Sequence, residues 1–209
     1  MKDLLILGTG VHSREMAEIV DRVNGTDPIW NLLGYISVDS GVVGEFHNGY
    51  PVIGSAKQYA EFEQAYVIPD NKWRNAAVDP AWNLETRAIR LIDPSAVVSR
   101  TADISPGCVI YPHSFVGLNA QLGRNVFCLS GCIINHDVRL DDSVILASGV
   151  HLAGSVHVEA NCYLGQSCTI KQNVTIGAGS LIGMGAVVTK DVPPRSVIIG
   201  NPGRFLRVR

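Results

Sequence analysis

From Ile92 to Pro193, apolar and polar positions recur with a period of six, seventeen times over without an insertion. The first position of each hexad is Ile, Leu or Val, except for Cys128. The fifth is Ala, Cys, Ser or Val, and the fourth is always Gly, Asn, Asp, Ser, Thr or His. A fixed period of this length signals a parallel β-helix. One aliphatic and one small side chain per hexad fill a narrow prism from three flat sides. The fourth position turns the chain at each corner, where positive φ is often needed. Three hexads make one coil, so residues eighteen apart stack, separated by about 4.8 Å, the strand spacing of a sheet.

Ahead of the hexads the pattern changes. Residues 2–8 form an apolar run that reads as a buried parallel strand. Gly8-Thr9-Gly10-Val11-His12 is a glycine-rich turn, and Ser13–Val23 reads as a helix with Met16, Ala17, Ile19, Val20 and Val23 on one side. Leu32–Val38 is a second strand followed by Asp39, and Tyr50–Gly54 a short one. Ser55 with Gln58 makes a capping box for a helix to Phe62, and Ala65–Pro69 is a third strand. Asn71–Ala77 and Trp82–Arg87 read as short helices, and His47 as part of a solvated loop. The expected organisation is a small α/β Rossmann-like domain over 1–91, a parallel β-helix over 92–193 and a C-terminal cap over 194–209. In that cap Phe205 and Leu206 would cover the open last coil. A domain of about ninety residues suffices for only half of a doubly wound dinucleotide fold. It should therefore hold a mononucleotide or a nucleotide-linked group rather than NAD.

Composition narrows the function. A net charge of −2 with no basic stripe argues against nucleic acid as a partner. No apolar run reaches membrane-spanning length. The opening MKDLLILGTG breaks into glycine and reads as a strand rather than a signal peptide, so a cytoplasmic protein is expected. Cys108, Cys132, Cys162 and Cys168 occupy position five and Cys128 position one, so all five point inward as core residues. Same-side pairs lie too far apart in coils for a disulfide. No metal cluster and no nucleophile set emerges.

The candidate chemistry lies in two places. The Gly8–His12 turn at a helix N-terminus is either a phosphate site or a tight turn with no ligand, since Ser13 stands where the third glycine of a dinucleotide fingerprint would be. Asp39 stands where a ribose-binding acid would sit. In the hexads, His136 occupies the outward position three and is either a base or a plain surface histidine. Asp137 is a corner residue that is also placed to orient the imidazole. Gly154, eighteen residues on, stacks one coil above with its N–H open. A base beside a free N–H is an arrangement for acyl transfer. His151 and His157 share position six with Val97, Val109, Phe115, Phe127 and Ile133, which read as an outward apolar surface for subunit contact.

The hexads, the segment Ile182–Pro193 (IGMGAVVTKDVP) and the ending Gly200-Asn201-Pro202 resemble the hexapeptide acyltransferases. The Gly8–His12 turn, the Pro51–Gly54 segment and Asn135-His136-Asp137 narrow the resemblance to sugar O/N-acetyltransferases of the sialic acid (NeuD) and bacillosamine (PglD) type. It covers nearly the whole chain. It implies a left-handed β-helix, acetyl-CoA as donor, and a homotrimer with active sites between subunits. It implies direct transfer to the amino group of a nucleotide-linked amino sugar, with His136 as general base tuned by Asp137 and no metal. The Gly154 N–H would polarise the thioester carbonyl, and the backbones near Gln166 and Met184 would line the pantetheine path. Gly10, Val11 and His12 would contact the nucleotide-sugar. The chain departs from the pattern at Ser37-Val38, where the family has an acidic pair, at Pro69 in place of a glycine, and at Asp93 in place of a histidine. The alternatives are O-acetylation of a sialic acid or another free sugar hydroxyl, and a non-catalytic or metal-binding trimer.

Overall fold

The computed structural model describes residues 1–37, 42–70 and 84–209. These form two compact units, Met1–Pro94 and Ser95–Arg209. Asp39 and the expected helix Asn71–Ala77 lie outside the described residues, as does the start of the helix expected at Trp82.

The first unit is a five-stranded sheet with one long helix. Its elements are β1 (Lys2–Leu7), α1 (Val11–Thr26), β2 (Trp30–Ser37), β3 (Phe46–His47), β4 (Tyr50–Ser55) and β5 (Tyr66–Pro69). The strand order is β3-β4-β2-β1-β5. β1 lies parallel to both β2 and β5, β4 is parallel to β2, and β3 is antiparallel to β4. The sheet is thus mixed, and the Rossmann-like expectation goes further than this arrangement does. Leu4 to Leu7 are fully buried, as are Met16, Ala17, Ile19 and Val20 on the inner side of α1. Burial of each large side chain stabilises by about 1.5–3 kcal/mol. Ser55 and Gln58 form the expected capping box, with the Ser55 N–H donating to Gln58 Oε1 at 3.1 Å. The segment they open, Ala56–Phe62, winds as a tighter 3-10 helix. His47 is not in a solvated loop: it lies on β3 with its ring edge-on to Tyr35, centroids 5.8 Å apart. Asp93 is 1% exposed and accepts from Arg22 Nε at 2.6 Å, which gives the departure at this position a structural partner on α1.

The second unit is a parallel β-solenoid with three faces. Strand pairs repeat with the expected register of eighteen, as in Phe115↔Ile133 and Ile133↔His151 on the first face. Gln121↔Arg139 on the second face and Phe127↔Ile145 on the third follow the same rule. The corners fall at position four. Asn119, Asp137, Ser155 and Asn173 take φ of 55–59°, and Gly131 takes 72°. Positions one and five fill the interior, with Leu140 1% exposed and Leu152, Val156 and Leu164 fully buried. All five cysteines are buried and free. Burial pushes the thiols of Cys132 and Cys162 up to about 11 and that of Cys168 to about 12. The Cys132 and Cys162 thiols donate to the carbonyls of Ala147 (3.3 Å) and Gly177 (3.2 Å).

Two expectations need correction. Position six is not uniformly exposed, as an open apolar surface would require. Val109 and Phe127 on the third face are fully buried, Phe127 with its ring edge-on to Tyr111 at 5.2 Å. On the first face Val97 and Phe115 remain 62% and 37% exposed, while the second face carries Asp103, Gln121 and Arg139 at this position. The cap also works differently. Ser196–Ile199 extends the third face parallel to Leu181–Ile182, and Arg204–Val208 pairs with it antiparallel. The edge is covered by backbone pairing, and the Phe205 and Leu206 side chains stay more than half exposed.

Candidate active site

His136 lies at the corner between the strands Ile133–Ile134 and Arg139–Leu140, where the first face turns into the second. Position three faces outward, and its side chain is 63% exposed. Its Nδ1 stands 2.8 Å from Asp137 Oδ2. Asp137 is the corner residue itself, with φ of 58° and its N–H donated to the Leu118 carbonyl. Its other oxygen, Oδ1, accepts from Asn119 Nδ2 at 3.1 Å. These hydrogen bonds, that from His136 first and that from Asn119 second, hold the Asp137 carboxyl below the usual carboxylate range. An Nδ1–H donated to this carboxylate leaves the Nε2 lone pair free for a proton.

Gly154 stacks one coil above, on the same corner, between His151–Leu152 and His157–Val158. A Cβ there would stand 2.5 Å from His136 Cε1 and 2.6 Å from Nε2. The imidazole therefore lies directly against the Gly154 backbone, in space that only glycine leaves. The Ser155 N–H donates to the His136 carbonyl at 3.0 Å and ties the two coils together. The Gly154 carbonyl accepts from Asn173, while its N–H makes no hydrogen bond with another described residue. A base and a free N–H on adjacent coils are the parts acyl transfer needs: one takes a proton, the other steadies an oxyanion.

The remaining candidates are not brought to this edge. Gln166 and Met184 stack on each other, with the Gly185 N–H donating to the Gln166 carbonyl at 2.8 Å. They occupy the corner between the third and first faces, and Met184 is 76% exposed. His157 pairs with Asp141 on the second face at 3.0 Å, and Asp141 also accepts from Arg139 at 2.9 Å.

Gly8, Gly10, Val11 and His12 form one turn between β1 and α1. The helix starts at Val11, earlier than expected, because Gly10 takes the N-cap position. Ser13 is not a cap. Its hydroxyl donates to the buried Asp70 Oδ2 at 2.5 Å, joining the first turn of α1 to the residue after β5. Gly8 has φ of 126°, and a Cβ there would meet Asp70 Cβ and Ser13 Oγ at 2.8 Å, so packing alone demands glycine. At Gly10 the nearest atom to a Cβ is Asp70 Oδ2 at 3.2 Å. His12 Nδ1 stands 3.0 Å from Glu15 Oε2, and Val11 is 68% exposed. Ser37, at the end of β2, has a buried hydroxyl without a hydrogen-bond partner among the described residues. Asn119, Asp70 and Ser37 were not read from the sequence as site residues. Only Asn119 left a signal, lying eighteen positions before Asp137. Among the described residues no group of three His, Cys, Asp or Glu is placed to hold a metal ion, and no helix is long and apolar enough to cross a membrane.

Residues 155–190 match the family described as bacterial transferase hexapeptide (six repeats). Comparison with curated protein sequences gives no match. Among solved structures, the chain is similar to the acetyltransferase domain of PglB from Neisseria gonorrhoeae FA1090. The TM-score is 0.86 at 28% identity, over 99% of this chain and 100% of that one. The same domain in complex with acetyl coenzyme A matches equally, over 98% and 99% of the two chains. WeeI from Acinetobacter baumannii AYE matches with a TM-score of 0.83 at 25% identity, over 99% and 100%. PerB from Caulobacter crescentus, in complex with CoA and GDP-perosamine, shares the fold with a TM-score of 0.86 at 24% identity, over 99% and 98%.

Proposed function

We propose that this hexapeptide-repeat transferase is an acetyl-CoA-dependent acetyltransferase that acylates the amino group of a nucleotide-linked amino sugar. The observation that carries the reading is the pairing of His136 Nδ1 with Asp137 at 2.8 Å, with the ring set against Gly154. The likeness to an acetyltransferase domain solved with acetyl coenzyme A supports the choice of donor. In the reaction the acceptor amine attacks the thioester carbonyl. The N–C bond forms, the C–S bond breaks, and the amine proton passes to His136 Nε2 and on to the departing sulfur. Asp137 keeps the imidazole in the tautomer that accepts the proton and steadies its cationic form. The Gly154 N–H donates to the carbonyl oxygen as charge develops there.

The protein works as a homotrimer built on a left-handed β-helix. Gln166 and Met184 stand on a different edge from His136, so a neighbouring copy supplies them to the pantetheine arm. The exposed Val97 and Phe115 of the first face supply apolar surface for that contact. The first unit serves as a Rossmann-like binder of the nucleotide-sugar, through the turn of Gly8, Gly10, Val11 and His12, with Asp39 as a further contact. Support for this comes from the N–H groups at the start of α1, which favour anions. His136→Ala tests the reading. Turnover should fall by about 10² to 10⁴, the usual worth of a general base, with acetyl-CoA binding intact. Near-normal turnover would move the base elsewhere.

A further inference from the structure

We propose that Asn119 is a positioning residue of this site, acting through Asp137 on the tautomer and orientation of His136; the role rests on His136 being the base. The fold asks little of position 119. It is a corner with φ of 55°, and the same turn is made elsewhere by Asn125, Asn161 and Asn173 but equally by Gly107, Gly131 or Ser143. An amide is therefore more than the corner needs. What it adds is a donor that reaches the next coil, where Nδ2 meets Asp137 Oδ1 at 3.1 Å. The Asn119 corner is itself pinned from the coil before, its N–H donated to Thr101 Oγ1 at 3.0 Å. Thr101, Asn119 and Asp137 thus run up one column, and His136 hangs from its end at 2.8 Å.

The physical consequence concerns an exposed carboxylate. With the imidazole as its single partner, Asp137 could turn about its side-chain bonds and let the ring follow. A second hydrogen bond on the other oxygen fixes the carboxylate plane, and both of its oxygens are then committed. The ring is held with Nδ1 protonated and Nε2 open. A carboxylate at position 119 would face Asp137 with like charge and offer no donor.

Two variants test this. Asn119→Gly keeps a residue at home in the corner and removes the amide. Asn119→Asp keeps the size and replaces the donor with an acceptor. Each should lower kcat by about threefold to tenfold, the worth of one hydrogen bond, with the acetyl-CoA KM unchanged. NMR of the ring nitrogens should show a single Nδ1–H tautomer in the parent and a mixture in Asn119→Gly, a change that a merely structural role would not produce. In an Asp137→Asn background, Asn119→Gly should cost nothing further. Parent-like kcat and tautomer in Asn119→Gly would overturn the proposal, as would an equal loss in the Asp137→Asn background. If His136→Ala stays active, the base reading falls and this role with it. If His136→Ala is inactive while both Asn119 variants behave like the parent, this inference alone falls.

Discussion

Substituting Gly154 by alanine separates the two tasks assigned to that residue. The added methyl carbon would stand 2.5 Å from His136 Cε1, 2.6 Å from Nε2 and 3.2 Å from Nδ1. Non-bonded carbons settle at about 3.5–4.0 Å, so the ring must retreat by about 1 Å or swing away from the corner. The backbone does not resist the change. Gly154 is not among the left-handed residues, and the same column carries Leu118, Gln172 and Lys190 on its other coils. Fold and melting temperature should therefore stay close to the parent's. Alanine retains the N–H, so the oxyanion donor survives and the loss reports ring placement alone. A misplacement of about 1 Å in a catalytic group costs on the order of 10² in turnover. Steady-state kinetics should show that loss in kcat, with acetyl-CoA still bound. A folded Gly154→Ala protein with the parent's kcat would mean that the ring position set by Gly154 is not the reactive one.

Three further outcomes follow from the same geometry. The Asp137 carboxyl is held down by hydrogen bonds from His136 and then Asn119, so its pairing with His136 should persist below the ordinary aspartate value of about 3.9. It should be lost only as pH falls through the lowered value. An NMR titration should place the midpoint below about 3.9 and return it toward that value in His136→Ala; an ordinary midpoint in the parent would contradict the pairing. Gly10→Val should raise the KM for the acceptor and leave that for acetyl-CoA nearly unchanged, and weaker acetyl-CoA binding would contradict the assignment of the turn. Sedimentation should give the mass of a trimer, and a single-subunit mass at micromolar concentration would remove the neighbouring copy from the mechanism.

Positions one, four and five of the hexads are legible in the sequence because each has one local task. Leu152 and Val156 fill the prism, and Asp137 turns a corner, whatever lies outside. The stacking of Gly154 on His136 follows from the same register. Position six is different. Phe115 and Phe127 occupy equivalent places, yet one is 37% exposed and the other fully buried. What covers a face is decided by residues that no period relates to it. The bond between Ser13 and Asp70 spans 57 positions and leaves no repeat to betray it. The reach of Asn119 to Asp137 lies between these cases: the register puts the two residues side by side, but only the side-chain geometry shows that the amide donates.

The most direct test offers the purified protein acetyl-CoA with a panel of nucleotide-linked amino sugars and the matching free sugars. Thiol release and product mass are followed together. The proposed reaction transfers one acetyl group to the amine of a nucleotide-linked sugar, matched by one released thiol, with no comparable turnover of the free sugars. Acetylation of a free sugar hydroxyl at equal rate, or no thiol release with any acceptor, would contradict it.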